Sequence, residues 1–254
     1  MRIYTCKDNY EDMMTCIYVA WEWALKNGHD NVKLMKEPVL QQSLFDEYIH
    51  VEPDNEKASK VTNSIIKKIS KGAYIYVYYA TLSCDDTLDD IYRFLRLGFK
   101  VGGRVTSMLT EASVIKMMES KRNVGNEIHF FREFARFNSI DGKVYVCHIE
   151  PKNNTAYMVG EHFADRMPSE YWIIVDDVRK LAVIHPKNED MYISSLSDAE
   201  MDVLKATEIH EDSYRKLWTV FFDTIGIKQR ENYKCQRNMF PLWMRKHAVE
   251  FMRE

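Results

Sequence analysis

The Asp141-Gly142 pair constrains the fold of this chain more than any other local feature. It separates two segments with strand character, 134–140 and 143–150, and both of its residues tolerate the positive φ angles of a tight hairpin turn. Segments joined by a two-residue turn can pair only in the antiparallel sense. The sequence therefore predicts a β-hairpin at this position.

A second antiparallel pair is predicted from 171–175 and 180–185, joined at Asp176-Asp177, with 191–194 as a further strand. Segments with apolar residues at helical spacing and capping residues at their starts surround these strands, and 2–6 is predicted as one more short strand. The predicted helices cover 9–27, 54–69, 87–98, 110–136, 154–167, 197–225 with a break, and 241–251. Ser197 and Glu200 indicate a capping box at the start of helix 197–225.

Segment 73–82, AYIYVYYATL, is ambiguous. Its β-branched and aromatic residues are typical of a strand, whereas its helical neighbours favour a helix, which we predict. Together these elements predict an α+β fold, a small antiparallel sheet of four or five strands covered by helices. We expect a single domain over 1–254, helical to about residue 136 and mixed thereafter, because no Gly/Ser/Pro-rich linker interrupts it.

Composition excludes several classes of protein. The 254 residues are 46% hydrophobic, which suffices for a buried core, but no run approaches the ~18 consecutive apolar residues of a membrane span. Five scattered cysteines without CxxC spacing fit reduced thiols, so we expect a cytoplasmic protein with no membrane association. Motifs for phosphate loops, dinucleotide binding, HExxH zinc sites and serine hydrolases are absent, and we predict neither a metal nor a cofactor.

The C-terminal segment is strongly basic. Residues 228–246 contain six Lys or Arg and a single acid, although the whole chain has a formal net charge of −3. Such a local positive segment is typical of a protein that meets a polyanion on one face. Aromatic residues alternate with the basic ones, and this mixture can hold phosphates by charge and stack an unpaired base. Aromatic core residues with a solvated basic rim would give the same pattern.

Three further polar clusters stand out. His129, Arg132 and Arg136 share a helix face near Glu127, which suits phosphate binding or acid–base chemistry but equally a solvated stripe. His162 and Arg166 are one turn apart, where they can also simply interact with a helix dipole. Asp176 and Arg179 lie in a turn whose local chemistry explains the aspartate without any function.

Five ordered motifs carry a resemblance to a known family. They are NEIHFFREFARF (126–137), HFADRMP (162–168), WIIVDDVR (172–179), YRKLWTVFF (214–222) and IKQRENYKCQRNMFPLWMRKH (227–247). From about residue 87 to the end, the chain resembles a bacterial family of DNA metabolism or DNA repair proteins that share a domain of unknown function. The resemblance implies a role in DNA metabolism and a partner, since genes of this family commonly adjoin one for a radical S-adenosylmethionine (radical SAM) protein.

Family motifs map onto individual positions of this chain. The Glu-x-His pattern that ends in Arg-Phe falls on Glu127, His129, Arg136 and Phe137. Relatives often have a basic residue at Phe130 and a glycine at Glu133, so a basic site there would depend more on Arg132 and Arg136. The other motif positions are His162, Phe163, Arg166, Trp172, Asp176, Arg179, Arg230, Asn232 and Pro241.

Three hypotheses follow for the function. The first is a DNA-binding protein of repair or modification that works with the radical SAM partner, on single-stranded or damaged DNA. Its candidate nucleic-acid contacts are Arg132, Arg136, Arg166, Arg179, Arg230, Asn232, Tyr233, Arg237, Trp243, Arg245 and Lys246. The second is an enzyme acting on a damaged or modified base, in which Glu127 or Asp176 activates water and His129 or His162 is the catalytic acid or base. The third is a protein–protein adaptor anchored by the tyrosine-rich segment 74–79.

Overall fold

A computed structural model describes residues 1–208, 213–225 and 227–251. Its internal packing divides the chain into two compact units, unit 1 (Met1–Gly125) and unit 2 (Asn126–Glu254). Helices and two separate sheets make up the described residues, which confirms the predicted α+β class. Among these residues, no helix has the length and apolar character needed to cross a lipid bilayer.

The strands, in chain order, are β1 (Arg2–Cys6), β2 (Val32–Lys36), β3 (Glu47–His50), β4 (Asn138–Ile140), β5 (Val144–Ile149), β6 (Tyr171–Asp176), β7 (Leu181–His185) and β8 (Tyr192–Ser195). The α-helices are α1 (Tyr10–Asn27), α2 (Asn55–Ser64), α3 (Lys71–Thr81), α4 (Leu88–Val101), α5 (Ala112–Phe134), α6 (Ala156–Arg166), α7 (Asp198–Glu208), α8 (Ser213–Ile225) and α9 (Tyr233–Met239). The predicted break between 197 and 225 involves residues 209–212, which lie outside the described residues.

Unit 1 contains a three-stranded parallel sheet in the order β2-β1-β3. Of its strands the sequence analysis predicts only β1. Helix α1 connects β1 to β2 and packs on both, as parallel pairing requires a crossover. Asn9 caps this helix by accepting a 2.9 Å hydrogen bond from the Asp12 N–H, and Gly28 ends it at a φ of 89°.

Helix α3 resolves the ambiguity of segment 73–82. Ser70 caps it by accepting a 3.0 Å hydrogen bond from the Ala73 N–H. Ala73, Val77 and Ala80 are buried at helical spacing, while the tyrosines between them are partly exposed. The helix prediction for this segment is confirmed.

Unit 2 contains a five-stranded sheet in the order β4-β5-β6-β7-β8. The hairpin at Asp141-Gly142 is confirmed, with φ angles of 51° and 68°, but Ile140 pairs with Val144, so the turn has three residues rather than two. Pairs β6–β7 and β7–β8 are antiparallel as expected, but β5 and β6 pair in parallel, so the sheet is mixed. Parallel pairing arises because α6 carries the chain back to the starting edge before β6 begins.

The capping box predicted before α7 is also confirmed. The Glu200 N–H donates to the Ser197 hydroxyl at 3.3 Å, and the Ser197 N–H donates to the Glu200 carboxylate at 2.8 Å. Predicted helix 241–251 differs from the structure, where short 3₁₀ turns occupy Leu242–Met244 and Val249–Phe251. Aromatic packing holds this segment, with the rings of Phe134 and Phe240 stacked at 3.9 Å.

Candidate functional site

Glu127 anchors the loop between β5 and α6. Its side chain is buried, and its carboxylate accepts hydrogen bonds from the N–H of Lys152 at 2.6 Å and of Asn153 at 3.1 Å. The Asn153 side-chain amide donates to the same carboxylate. Burial raises the pKa of Glu127, and these hydrogen bonds partly offset that rise.

Asp176 and Arg179 support the same loop from the β6–β7 turn. Oδ1 of Asp176 accepts from the N–H of Val178 and of Arg179, each at 3.0 Å. The Arg179 guanidinium donates to the carbonyl oxygens of Pro151 at 3.0 Å and Lys152 at 2.6 Å, and it pairs with Asp176 Oδ2 at 3.1 Å. Burial raises the pKa of Asp176. Glu127, Asp176 and Arg179 thus converge on residues 151–153.

Among the described residues, the two predicted histidines do not contact Glu127 or Asp176. His129 is exposed, and its Nε2 lies 3.1 Å from the Glu133 carboxylate on the same helix. His162 is partly buried on α6; burial lowers its pKa, as do the charges of Arg132 and Arg166. Within the described part of the chain, the acids and the histidines of the enzyme hypothesis therefore do not form a shared site through direct contacts.

The predicted arginines of α5 and α6 differ in what they contact. Arg132 donates to the Met158 carbonyl oxygen at 2.9 Å. Arg136 pairs with the buried carboxylate of Glu250 at 2.6 Å. Its guanidinium also lies 5.2 Å from the centre of the Trp218 ring. Arg166 is exposed at the end of α6. The first two cations are thus held by internal contacts.

The segment around α9 presents cations outward. Arg230 and Arg237 are exposed, as is Lys234 between them, and no ion pair among the described residues involves any of the three. Asn232 caps α9 by accepting a 3.0 Å hydrogen bond from the Cys235 N–H. Tyr233 is 64% exposed, with its hydroxyl 3.0 Å from the Glu231 carboxylate.

The last three predicted contacts have different surroundings. Trp243 is 37% exposed, and the Lys152 ammonium lies 4.5 Å from its ring centre. Arg245 is only 7% exposed; it donates to the Phe240 carbonyl oxygen at 3.0 Å and lies over aromatic rings. Lys246 forms an ion pair with Glu150. Arg245 therefore belongs to the interior of unit 2.

A second cluster was missed by the sequence analysis. His247 Nε2 lies 3.7 Å from both Glu150 Oε1 and Asp177 Oδ2. His148, which is buried, has its Nδ1 3.0 Å from Asp177 Oδ1 and its Nε2 3.2 Å from the Leu204 carbonyl oxygen. We call Glu150, Asp177 and His247 the Glu-Asp-His cluster. Such a set of ligand atoms can hold a metal ion or exchange protons.

In the comparison with protein families, the model described as a domain of unknown function, DUF4130, matches residues 85–250. The chain belongs to the DUF4130 family. Comparisons with curated proteins and with solved structures each gave no match.

The DUF4130 match includes every candidate residue predicted from the sequence, from Glu127 to Lys246, and also the Glu-Asp-His cluster. No spacing in the sequence could have indicated that cluster, since its members follow β5, lie in the β6–β7 turn and lie near the C-terminus. Asp177 was noticed only as a turn residue. The single available signal was that each residue type is a common metal ligand.

One polar pair of unit 1 lies outside the DUF4130 match. His50 Nδ1 is 2.7 Å from Glu37 Oε1, where β2 and β3 end. The Glu37 side chain lines a cavity of about 440 Å³ together with Thr5, Asp8 and Tyr48. Crevices at the carboxyl ends of parallel strands are common ligand sites. The described residues that line this cavity do not indicate a particular ligand.

Proposed function

We propose that this DUF4130 protein binds DNA through an exposed basic surface on its C-terminal segment. This surface, the α9 surface, consists of Arg230, Tyr233, Lys234 and Arg237. The observation that carries the proposal is the exposure of its three cations without an ion pair in the part of the chain that the structure describes. Such cations can bind phosphate without first breaking an internal contact.

Other basic residues in unit 2 contrast with this surface. Arg136, Arg179 and Lys246 each pair with a carboxylate, so a phosphate would have to compete with an existing partner. Arg245 is buried. The proposal therefore ranks Arg230 and Arg237 above these four residues among the predicted nucleic-acid contacts.

Tyr233 gives the α9 surface a second mode of contact. Its ring is largely exposed and lies one helical turn before Arg237, on the same side of α9. An exposed ring beside guanidinium groups suits an unpaired base, which stacks on the aromatic face while the phosphates meet the cations. We therefore propose single-stranded or locally unpaired DNA as the preferred ligand.

The biological setting of the proposal rests on the family resemblance of the five motifs. We propose a cytoplasmic role in DNA repair or modification, together with a radical SAM partner protein. Copurification of the two proteins from cells that express both is the test. Recovery of the partner at a fixed ratio is expected, and its absence from the purified material would contradict this part of the proposal.

A protein–protein adaptor is the second candidate, favoured by one observation. Helix α8 exposes Leu217, Val220 and Phe221, each by more than half of its surface. Exposed large apolar side chains at helical spacing are typical of protein–protein contacts. An adaptor without DNA affinity would use this face, whereas the DNA-binding proposal requires the α9 surface.

The test is fluorescence anisotropy of labelled single-stranded and duplex DNA across a series of NaCl concentrations. The variant Arg230→Glu/Arg237→Glu is compared with Lys26→Glu/Lys71→Glu, a matched reversal of two exposed lysines of unit 1. Wild type and the lysine control are expected to bind with the same salt dependence. Loss of two phosphate contacts should weaken binding at least tenfold and make the logarithmic salt slope shallower by about 1.4 to 1.8. Equal affinity in the two reversals would overturn the proposed surface, and absence of binding by wild type at low salt would favour the adaptor.

A further inference from the structure

We propose that the Glu-Asp-His cluster, Glu150, Asp177 and His247, binds one divalent transition-metal ion of the Zn²⁺ or Mn²⁺ type. The cluster shares no residue with the α9 surface, and the metal proposal does not depend on DNA binding. It is carried by the distances between the ligand atoms, by the chemistry of those atoms and by the contacts of His148.

The ligand atoms are spaced as the ligands of a common ion would be. His247 Nε2 lies 3.7 Å from one oxygen of each carboxylate, and all three atoms lie within 4.8 Å of one another. A separation of 3.7 Å is too long for a hydrogen bond. Two ligands ~2.1 Å from one ion are ~3.4 to 3.6 Å apart when they subtend ~110 to 120° at it, so the two separations from His247 need only a small contraction.

The donor set selects the class of metal. One imidazole nitrogen and two carboxylate oxygens suit Zn²⁺, Mn²⁺ or Fe²⁺, whereas Mg²⁺ and Ca²⁺ prefer sites made of oxygen alone. Three protein ligands leave at least one coordination position for water, as in sites where a metal activates water rather than only supporting the fold.

His148 acts as a positioning residue for Asp177. Its Nε2 lies 3.2 Å from the Leu204 carbonyl oxygen, which fixes the far side of the ring. Its Nδ1 lies 3.0 Å from Asp177 Oδ1, while the other carboxylate oxygen, Oδ2, faces His247. Carboxylate ligands of protein-bound metals are in turn hydrogen-bonded by neighbouring groups, which orient them.

Lys246 provides an internal competitor for the ion. Its ammonium contacts Glu150 Oε1, the same oxygen that the metal would use. Metal binding therefore requires this ammonium to move away, which a flexible and exposed lysine side chain can do. Substitution Lys246→Gln should tighten metal binding, whereas a purely structural ion pair between these residues predicts no effect on any metal.

The metal would also connect three separate parts of unit 2. Glu150 directly follows β5, Asp177 lies in the β6–β7 turn and His247 lies in the C-terminal segment. An ion that binds all three only in the folded chain stabilises that chain. Thermal stability is thus a readout that is independent of any activity.

The experiment uses the full chain stripped with EDTA and titrated separately with Zn²⁺, Mn²⁺ and Mg²⁺ by calorimetry, with the bound metal counted by mass spectrometry. We expect one equivalent of Zn²⁺ or Mn²⁺, little binding of Mg²⁺ and a rise in melting temperature. Variants Glu150→Gln and His247→Gln should each weaken binding at least tenfold, and the matched control His129→Gln should not. Absence of saturable binding by wild type, or equal binding by the ligand variants, would overturn the proposal.

A second measurement locates the ion without any substitution. Mn²⁺ is paramagnetic, so at substoichiometric amounts it should broaden the imidazole NMR signals of His247 and His148 before that of the exposed His129. Broadening of all histidine signals together would indicate binding elsewhere and would contradict the assignment to this cluster. Folding of the variants does not affect this result.

Discussion

The Glu127 carboxylate accepts a hydrogen bond from the Asn153 backbone N–H at 3.1 Å and so connects α5 to the loop that precedes α6. The same carboxylate accepts from the neighbouring N–H of Lys152 at 2.6 Å. The buried Glu127 carboxylate satisfies both of these backbone N–H groups. The first role that the structure assigns to Glu127 is therefore to hold this loop.

Substitution Glu127→Ala should lower the free energy of unfolding by about 2 to 4 kcal/mol, because it leaves two backbone N–H groups and a side-chain amide without their acceptor. Urea unfolding followed by circular dichroism measures the change. The matched control is Glu133→Ala on the same helix. The exposed Glu133 carboxylate pairs with His129, and its removal should change stability by no more than about 0.5 kcal/mol. Similar losses in the two variants would contradict the anchoring role.

Gly160 allows α6 to approach the sheet. A Cβ atom added there would lie 2.9 Å from Val183 Cγ1 and 3.1 Å from Met191 Sδ. Gly160→Ala should therefore destabilise the protein by about 1 to 3 kcal/mol. Gly125→Ala is the control within a helix: its nearest neighbour would be 3.7 Å away, so the better helix propensity of alanine should stabilise by up to about 1 kcal/mol. Thermal melts of the two variants should thus shift in opposite directions.

Local signals predicted the parts of the fold that depend on neighbouring residues. Asp141-Gly142 indicated a hairpin because φ above zero suits these residues, and Ser197 with Glu200 indicated a helix start because the two groups cap each other. The partner of a strand cannot be predicted from neighbouring residues in this way. Whether β5 pairs in parallel with β6 depends on where α6 crosses, and β2 and β3 lie beside β1 only after α1 has packed.

The candidate site was predicted less completely for the same reason. Glu127, Asp176 and Arg179 were identified as polar residues of interest, but their shared loop is visible only in three dimensions. A catalytic role for Glu127 or Asp176 stays a prediction. Arg245 shows the limit most clearly, since a basic stretch in a sequence does not reveal which of its cations is buried under aromatic rings.

Arg245 and Arg237 should therefore respond differently to truncation. Arg245→Ala removes a hydrogen bond to the Phe240 carbonyl oxygen and a cation–π contact with Phe251, and should cost about 2 to 3 kcal/mol in the free energy of unfolding. Arg237→Ala, at an exposed position, should cost less than about 0.5 kcal/mol yet weaken DNA binding. Urea unfolding and anisotropy on the same samples separate the two effects. An unfolding free energy unchanged in Arg245→Ala would show that this arginine does not support the fold.

The Glu37–His50 pair should make the titration of His50 depend on Glu37. The hydrogen bond between the two side chains raises the pKa of His50 above the ordinary value of 6.5, and hydrogen bonds from Thr5 and then His50 lower the pKa of Glu37.

These pKa shifts make the stability of unit 1 depend on pH. For His50, the stabilisation from the pair is fully present below the unfolded pKa and is lost as pH rises through the folded pKa. For Glu37, it is present above the unfolded pKa and is lost as pH falls through the folded pKa. The pair therefore stabilises unit 1 between these two limits, and weakly, because about a third of each side chain is exposed to solvent. Glu37→Gln should lower the pKa of His50 toward 6.5 in an NMR titration of its ring protons, whereas Glu52→Gln, which removes a 3.2 Å contact, should lower it less. An unchanged His50 pKa in Glu37→Gln would contradict the pairing.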